Sequence, residues 1–145
     1  MRSKIFSVLI FILLLALLSG CGVESAEEEI DFETLARGYN SSAEDKNYYV
    51  VADQQNFAQI SEKIDQQQID TVNFGQEMVI AVFQGRQSTG GYEIEVEKVV
   101  RTTENLKVYI NETVPDPSDM VTQALTSPYH LIKLPKVDLQ AEFID

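Results

Sequence analysis

The chain has no tryptophan, one cysteine, one histidine and four prolines in 145 residues. A single cysteine excludes any disulfide within the chain. With His130 as the lone histidine and no second thiol, the ligand cluster that a zinc site needs is missing, and no metal or other cofactor is expected. The phosphate-cradling glycine loop and the nucleophile-elbow pattern are both absent, which removes two common routes to catalysis. Basic charge is also scarce: 11 Lys and Arg face 23 Asp and Glu, for a formal charge of −12. So acidic a chain is poorly suited to nucleic acid or to anionic lipid head groups. The acidity is diffuse, with one dense run at Glu27, Glu28 and Glu29, and it reads as solubility at a cell surface.

What the chain does have begins at its start. Arg2 and Lys4 precede an apolar run from Ile5 to Leu18, interrupted only by Ser7, and then comes Leu18-Ser19-Gly20-Cys21. A positive start, an apolar middle and small residues at the cut are the parts of a secretory signal peptide. The run is shorter than the roughly 20 residues a membrane-spanning helix needs. Leu-Ser-Gly-Cys resembles the lipobox of bacterial lipoproteins. That resemblance implies cleavage between Gly20 and Cys21 and a lipid on the Cys21 thiol, which would consume the only thiol in the chain. The protein is then expected on the extracytoplasmic face of a cell membrane, held by its lipid. Multiple acyl chains anchor durably, because each buried CH₂ contributes roughly 0.8 kcal/mol. Removal of Arg2 and Lys4 leaves nine basic side chains against 23 acidic ones, about −14.

Past the cysteine, residues 21–29 are small and acidic with no apolar period, and read as a tether. Residues 30–72 read as N-terminal strands and one helix. Ile30 to Leu35 alternates, and Tyr48 to Ala52 is β-branched and aromatic. Asp53 can cap a helix over Gln54 to Gln67, with Phe57, Ile60 and Ile64 on one face. Residues 73–140 read as a C-terminal unit. Met78 to Phe83 is continuously apolar, as in a strand buried on both faces. Tyr92 to Val100 and Leu106 to Ile110 alternate around Thr103-Glu104-Asn105 and read as an antiparallel hairpin. Val114 to Asp119 is a proline-pinned loop, Met120 to Leu125 has no clear period, and His130 to Leu134 is a last strand. The expected fold is α+β or mainly β: a small antiparallel sheet of five or six strands packed with one amphipathic helix.

Chemistry-bearing patterns are few. Asp116 and Asp119 lie three apart in a loop, but the spacing of a calcium-binding EF-hand is absent. Ser127, His130 and an aspartate are the ingredients of a triad. Pro128 between them fixes the backbone for a strand entry, so His130 reads as structural. The densest local signal is Gly85-Arg86-Gln87-Ser88-Thr89-Gly90-Gly91-Tyr92. Its paired glycines permit positive φ and its hydroxyls can close a turn. Two readings stay open: a hairpin turn with Tyr92 toward the core, or an exposed rigid loop of Arg86, Ser88, Thr89, Gly90, Gly91 and Tyr92 that enters a partner.

The block from Asn73 to Ile94 resembles the start of the PrcB C-terminal domain family. So do the hairpin after it, the Pro115-Asp116-Pro117 loop, and Thr126-Ser127-Pro128-Tyr129-His130-Leu131-Ile132-Lys133-Leu134-Pro135. Ser88 stands where that family commonly has proline. The resemblance implies a non-catalytic, membrane-tethered subunit that binds a protease or another surface protein. It also suggests Pro128, Tyr129 and His130 as accessory contacts. Ser88 to Tyr92 further resembles the cleft-plugging loop of chagasin-type cysteine protease inhibitors, which implies direct inhibition as an alternative. A small-ligand-binding lipoprotein is a third expectation.

Overall fold

The computed structural model describes residues 27–64 and 69–145. The expected signal peptide, the Gly20–Cys21 cleavage and lipidation site, and the tether up to residue 26 lie outside the described residues. So do residues 65–67 of the expected helix.

Among the described residues nine elements follow in order: β1 Glu28–Glu29, β2 Glu33–Gly38, β3 Asn47–Val51, α1 Gln54–Ser61, β4 Glu77–Phe83, β5 Glu93–Arg101, β6 Asn105–Thr113, β7 Tyr129–Pro135 and β8 Gln140–Ile144. The mainly-β class with one helix is as expected, but the strands form two sheets of four. The first has the order β2-β7-β4-β3 and the second β1-β5-β6-β8. All pairs are antiparallel except β6 with β8. Two strands exceed the expectation. β1 forms where the tether was expected to continue, through Glu28 opposite Arg101 and Glu29 opposite Val100. β8 was not anticipated at all.

The apolar run of β4 is buried on both sides, as its continuity predicts. Val79, Ala81 and Phe83 face a cluster under α1, while Met78, Ile80 and Val82 face the second sheet. β7 divides the same way, with Tyr129 and Leu131 toward the helix and Ile132 and Leu134 between the sheets. On the second sheet, Ile94 and Val96 of β5 point inward, then Val99. The change of parity is a β-bulge: the register with β6 shifts between Val96 and Lys98.

Helix α1 starts where Asp53 accepts a hydrogen bond from the Asn56 N–H at 2.8 Å, satisfying an orphan donor. Phe57 and Ile60 bury against the first sheet. The helix is shorter than its stripe suggested. The Ser61 hydroxyl donates back to the Phe57 carbonyl, and the Lys63 N–H reaches Ile60, tightening the last turn. The chain is then captured by a bridge of Ile64 with Ser41, which keeps Ile64 buried outside the helix.

Register gives the molecule two poles. Glu93 pairs with Thr113, and Phe83 with both Asn47 and Tyr129, so the 39–46, 84–92 and 114–128 loops gather at one pole. Glu28 pairs with Arg101 and Asn105 with Gln140, so the N-terminal entry and the 102–104 turn lie at the other.

Candidate functional site

The loop pole holds most of the residues singled out from sequence. β4 and β5 belong to different sheets, so the 84–92 segment crosses between sheets instead of closing a hairpin. Gly85 turns the chain at φ 81°, and a Cβ there would sit 2.7 Å from the Lys46 nitrogen, so only glycine fits. The Arg86 N–H then bonds the Glu44 carbonyl, and its guanidinium pairs with the Glu44 carboxylate at 2.9 Å.

From Gln87 onward the segment zips to the 114–126 loop. Gln87 and Thr126 exchange both main-chain hydrogen bonds, at 2.7 and 3.1 Å. The Thr126 hydroxyl donates to the Thr89 carbonyl at 2.8 Å, and the Gly90 N–H bonds the Thr122 carbonyl at 2.9 Å. Gly90 is covered by Thr122. Gly91, at φ 88°, leaves no room for a Cβ against Val121 and Pro115. Ser88 and Gly91 are exposed, and Thr89 and Tyr92 are half-buried. The two loops are therefore one cross-linked lobe.

The lobe sits on a buried polar clip. Ser127, 5% exposed, donates its hydroxyl to the Ala43 carbonyl at 2.8 Å, shares a hydrogen bond with the Ser41 hydroxyl at 2.7 Å, and gives its N–H to the Tyr39 carbonyl. Gln84 is also buried. Its amide donates to the Thr113 carbonyl at 3.3 Å, while its Oε1 has no hydrogen-bond partner among the described residues.

Pro128, Tyr129 and His130, expected as accessory contacts, are all buried. They support the lobe from beneath and present no side chain to a partner. His130 lies on the face of β7 that meets the second sheet. Its Nδ1 accepts the Val96 N–H at 3.0 Å, which fixes the proton on Nε2, and Nε2–H donates to the Thr34 hydroxyl at 2.9 Å. Burial holds its pKa down to about 4, with the nearby Arg37 charge acting in the same direction and Glu95 opposing. Ser127 and His130 thus spend their polar atoms on separate partners, and no triad forms between them. Asp116 is likewise occupied: it accepts from the Ser118 N–H and hydroxyl, which holds its pKa below the usual carboxylate value. Among the described residues no group of three potential metal ligands converges, and no helix is long and apolar enough to cross a membrane.

The exposed apolar residues of the lobe were missed from sequence. Met120 is fully exposed, and Leu125 and Val114 are about two-thirds exposed. The available signal was an apolar content without a period in residues 120–125.

β4 to β7, with the inter-sheet crossing after Phe83 and the Pro128-Tyr129-His130 strand entry, form one continuous stretch. Residues 78–135 match the family described as PrcB C-terminal. This is the resemblance expected from the 73–94 block. No curated protein and no solved structure matches the chain. The matched segment supplies the two inner strands of each sheet, β7 and β4 in one and β5 and β6 in the other. All four edge strands, β1, β2, β3 and β8, come from outside it. The lobe, by contrast, lies wholly within the matched segment.

Proposed function

We propose that the protein is a non-catalytic lipoprotein, anchored through Cys21 on the extracytoplasmic face of a cell membrane, whose lobe of residues 86–92 and 114–126 binds a surface protease as a subunit of its complex. The observation that carries this reading is the main-chain zipper at Gln87 and Thr126, which holds two loops as one rigid surface with Met120, Leu125 and Val114 exposed. Preorganised loops lose little entropy on binding, and isolated apolar side chains on rigid supports make effective anchors. The family match supports a PrcB-like domain, and the occupied hydroxyl of Ser127 and ring of His130 favour binding over hydrolysis.

The test is crosslinking of the tagged full-length protein in its native membrane, followed by mass spectrometry. A protease recovered in near-equal amount from the parent, and lost from the Met120→Asp/Leu125→Asp protein, is the expected result. Equal recovery from both proteins would remove the lobe from the contact. Replacement of Cys21 by Ser should shift the protein from the membrane to the soluble fraction.

Direct protease inhibition is a second reading of the same lobe, favoured by the exposure of Ser88 and Gly91 on a segment pinned on either side. Unchanged hydrolysis by a panel of purified cysteine and serine proteases would discard it.

A further inference from the structure

The geometry points to a specific orientation and partner chemistry: we propose that the lobe faces away from the anchoring membrane and docks an apolar pocket rimmed by Lys and Arg on a protein partner. This rests on the Cys21 anchor and the binding role proposed above.

Orientation follows from the register. The chain enters the fold at β1, where Glu28 pairs with Arg101 at the end of β5. The lobe departs from the opposite ends of β5 and β6, where Glu93 pairs with Thr113. At roughly 3.3 Å per residue, the nine-residue β5 separates the entry from the lobe by about 26 Å. Cys21 and Glu28 are seven peptide steps apart, so the linking chain spans at most roughly 25 Å. A domain inverted so that the lobe rests on its own bilayer would need that chain stretched almost straight, at a large entropic cost. The upright arrangement, with the entry pole toward the bilayer, carries Met120 and Leu125 outward.

Charge selects the partner. Residues 113–126 contain Asp116 and Asp119 and no basic residue. Three of the basic side chains at this pole are already engaged: Arg86 with Glu44, Arg37 with Glu93 and Glu95, and Lys46 with Glu112 and Asp145, and a fourth, Lys63, lies beside the 39–46 loop and not in the lobe. The exposed apolar residues are thus framed by uncompensated negative charge. A second copy of this chain would bring the same acidic frame and be repelled, as would anionic lipid. A basic-rimmed apolar pocket complements both features.

The test places a benzoylphenylalanine photo-crosslinker at position 120, and separately at position 104 near the entry pole, in the full-length protein in its native membrane. The expected result is a protein adduct at 120 whose crosslinked peptide carries Lys or Arg beside apolar residues. Its yield should drop about tenfold with Leu125→Asp and severalfold between about 50 and 500 mM salt. Position 104 should give no such adduct. Lipid adducts at 120, self-adducts, an equal adduct at 104, or no adduct at 120 would each overturn the proposal. The anchor is read independently from the mass of the Cys21 peptide and from the Cys21→Ser fractionation, so a missing lipid sinks the anchor and the orientation while the adduct at 120 still reports the partner chemistry.

Discussion

The inner and edge strands of the two sheets differ in origin and in burial. β4 and β7 are covered on both faces: Val79, Ile80, Ala81, Val82, Phe83, Leu131 and Ile132 have no exposed surface. β8 at the opposite extreme is half-buried at best, and β1 is two exposed glutamates. The inner strands belong to the segment that matches the PrcB C-terminal family, and the edges do not. The edges β2 and β3 add only Leu35, Ala36 and Val51 to the buried core, and pairing and side-chain clamps hold the edges as well: Lys46 and Tyr48 to Asp145 beside β8, and Arg37 and Tyr39 to Glu93 and Glu95 of β5. Stability should therefore be concentrated in the inner strands, with the edges set by weaker and more local contacts.

The largest expected effect comes from breaking the inner side of that contrast. Phe83 is fully buried, with its ring 5.9 Å from Tyr49 and 6.2 Å from Tyr129. Its replacement by Ala removes the apolar contact and leaves a cavity, costing about 4 kcal/mol of unfolding free energy in a urea titration. A cost under about 1 kcal/mol would show that the double-sided burial of β4 is not the seat of stability.

Next in size is His130, which ties the two sheets together at the bulge of β5. Its folded pKa of about 4 lies below the ordinary 6.5, so between these values the unfolded chain takes up a proton that the native protein refuses. Stability is then fully present above pH 6.5 and is lost as pH falls toward 4, by roughly 3 kcal/mol. Burial of the charged ring is the main source of the penalty, with the Arg37 charge adding to it, and protonation would also put a second donor against the Val96 N–H. His130 is the chain's one histidine, so replacing it with Gln should flatten the slope between pH 6.5 and 5 while lowering stability throughout. An unchanged slope in that variant would assign the pH response to carboxylates instead.

The same contrast explains what was legible in the sequence. The inner strands announce themselves, because burial on two faces demands a continuous apolar run and burial on one demands alternation. Even Val99, out of phase with Ile94 and Val96, belongs to the core because the chain bulges at Glu97. β8 left little trace: Gln140-Ala141-Glu142-Phe143-Ile144 is an edge that needs only Ala141 and Phe143 against the core. β1 has no apolar residue and exists only through its partner. The lobe was half legible. Its glycines marked positive φ at Gly85 and Gly91, but the pairing of Gln87 with Thr126 joins residues 39 apart, and no local pattern encodes it. For the same reason the partners of Ser127 and His130 lie 84 to 96 residues away or across the sheets. The Ser127 hydroxyl and the His130 imidazole, read from sequence as structural, are buried groups bonded to such distant partners.

The smallest effect sharpens the edge side of the comparison. Lys46, just before β3, reaches Glu112 at 2.8 Å and Asp145 at 2.7 Å, and so bridges the open edges of the two sheets. Its side chain is 41% exposed, so water and salt screen both pairs, and Lys46→Ala should cost only about 0.5 kcal/mol globally. The local consequence is larger in kind. β8 lies at the edge of its sheet, paired among the described residues to β6 alone, and the clamp holds it at Asp145. Loss of the clamp should let β8 open without unfolding the rest, because sub-global opening depends on local contacts and not on the whole core. Hydrogen exchange should therefore quicken at Ala141 to Ile144 in the Lys46→Ala protein and stay unchanged at Ile80 to Phe83. High salt should produce the same selective quickening in the parent. Uniform acceleration across both strands would instead mean that edge and interior open as one unit, and that the division drawn from burial does not govern the molecule's dynamics.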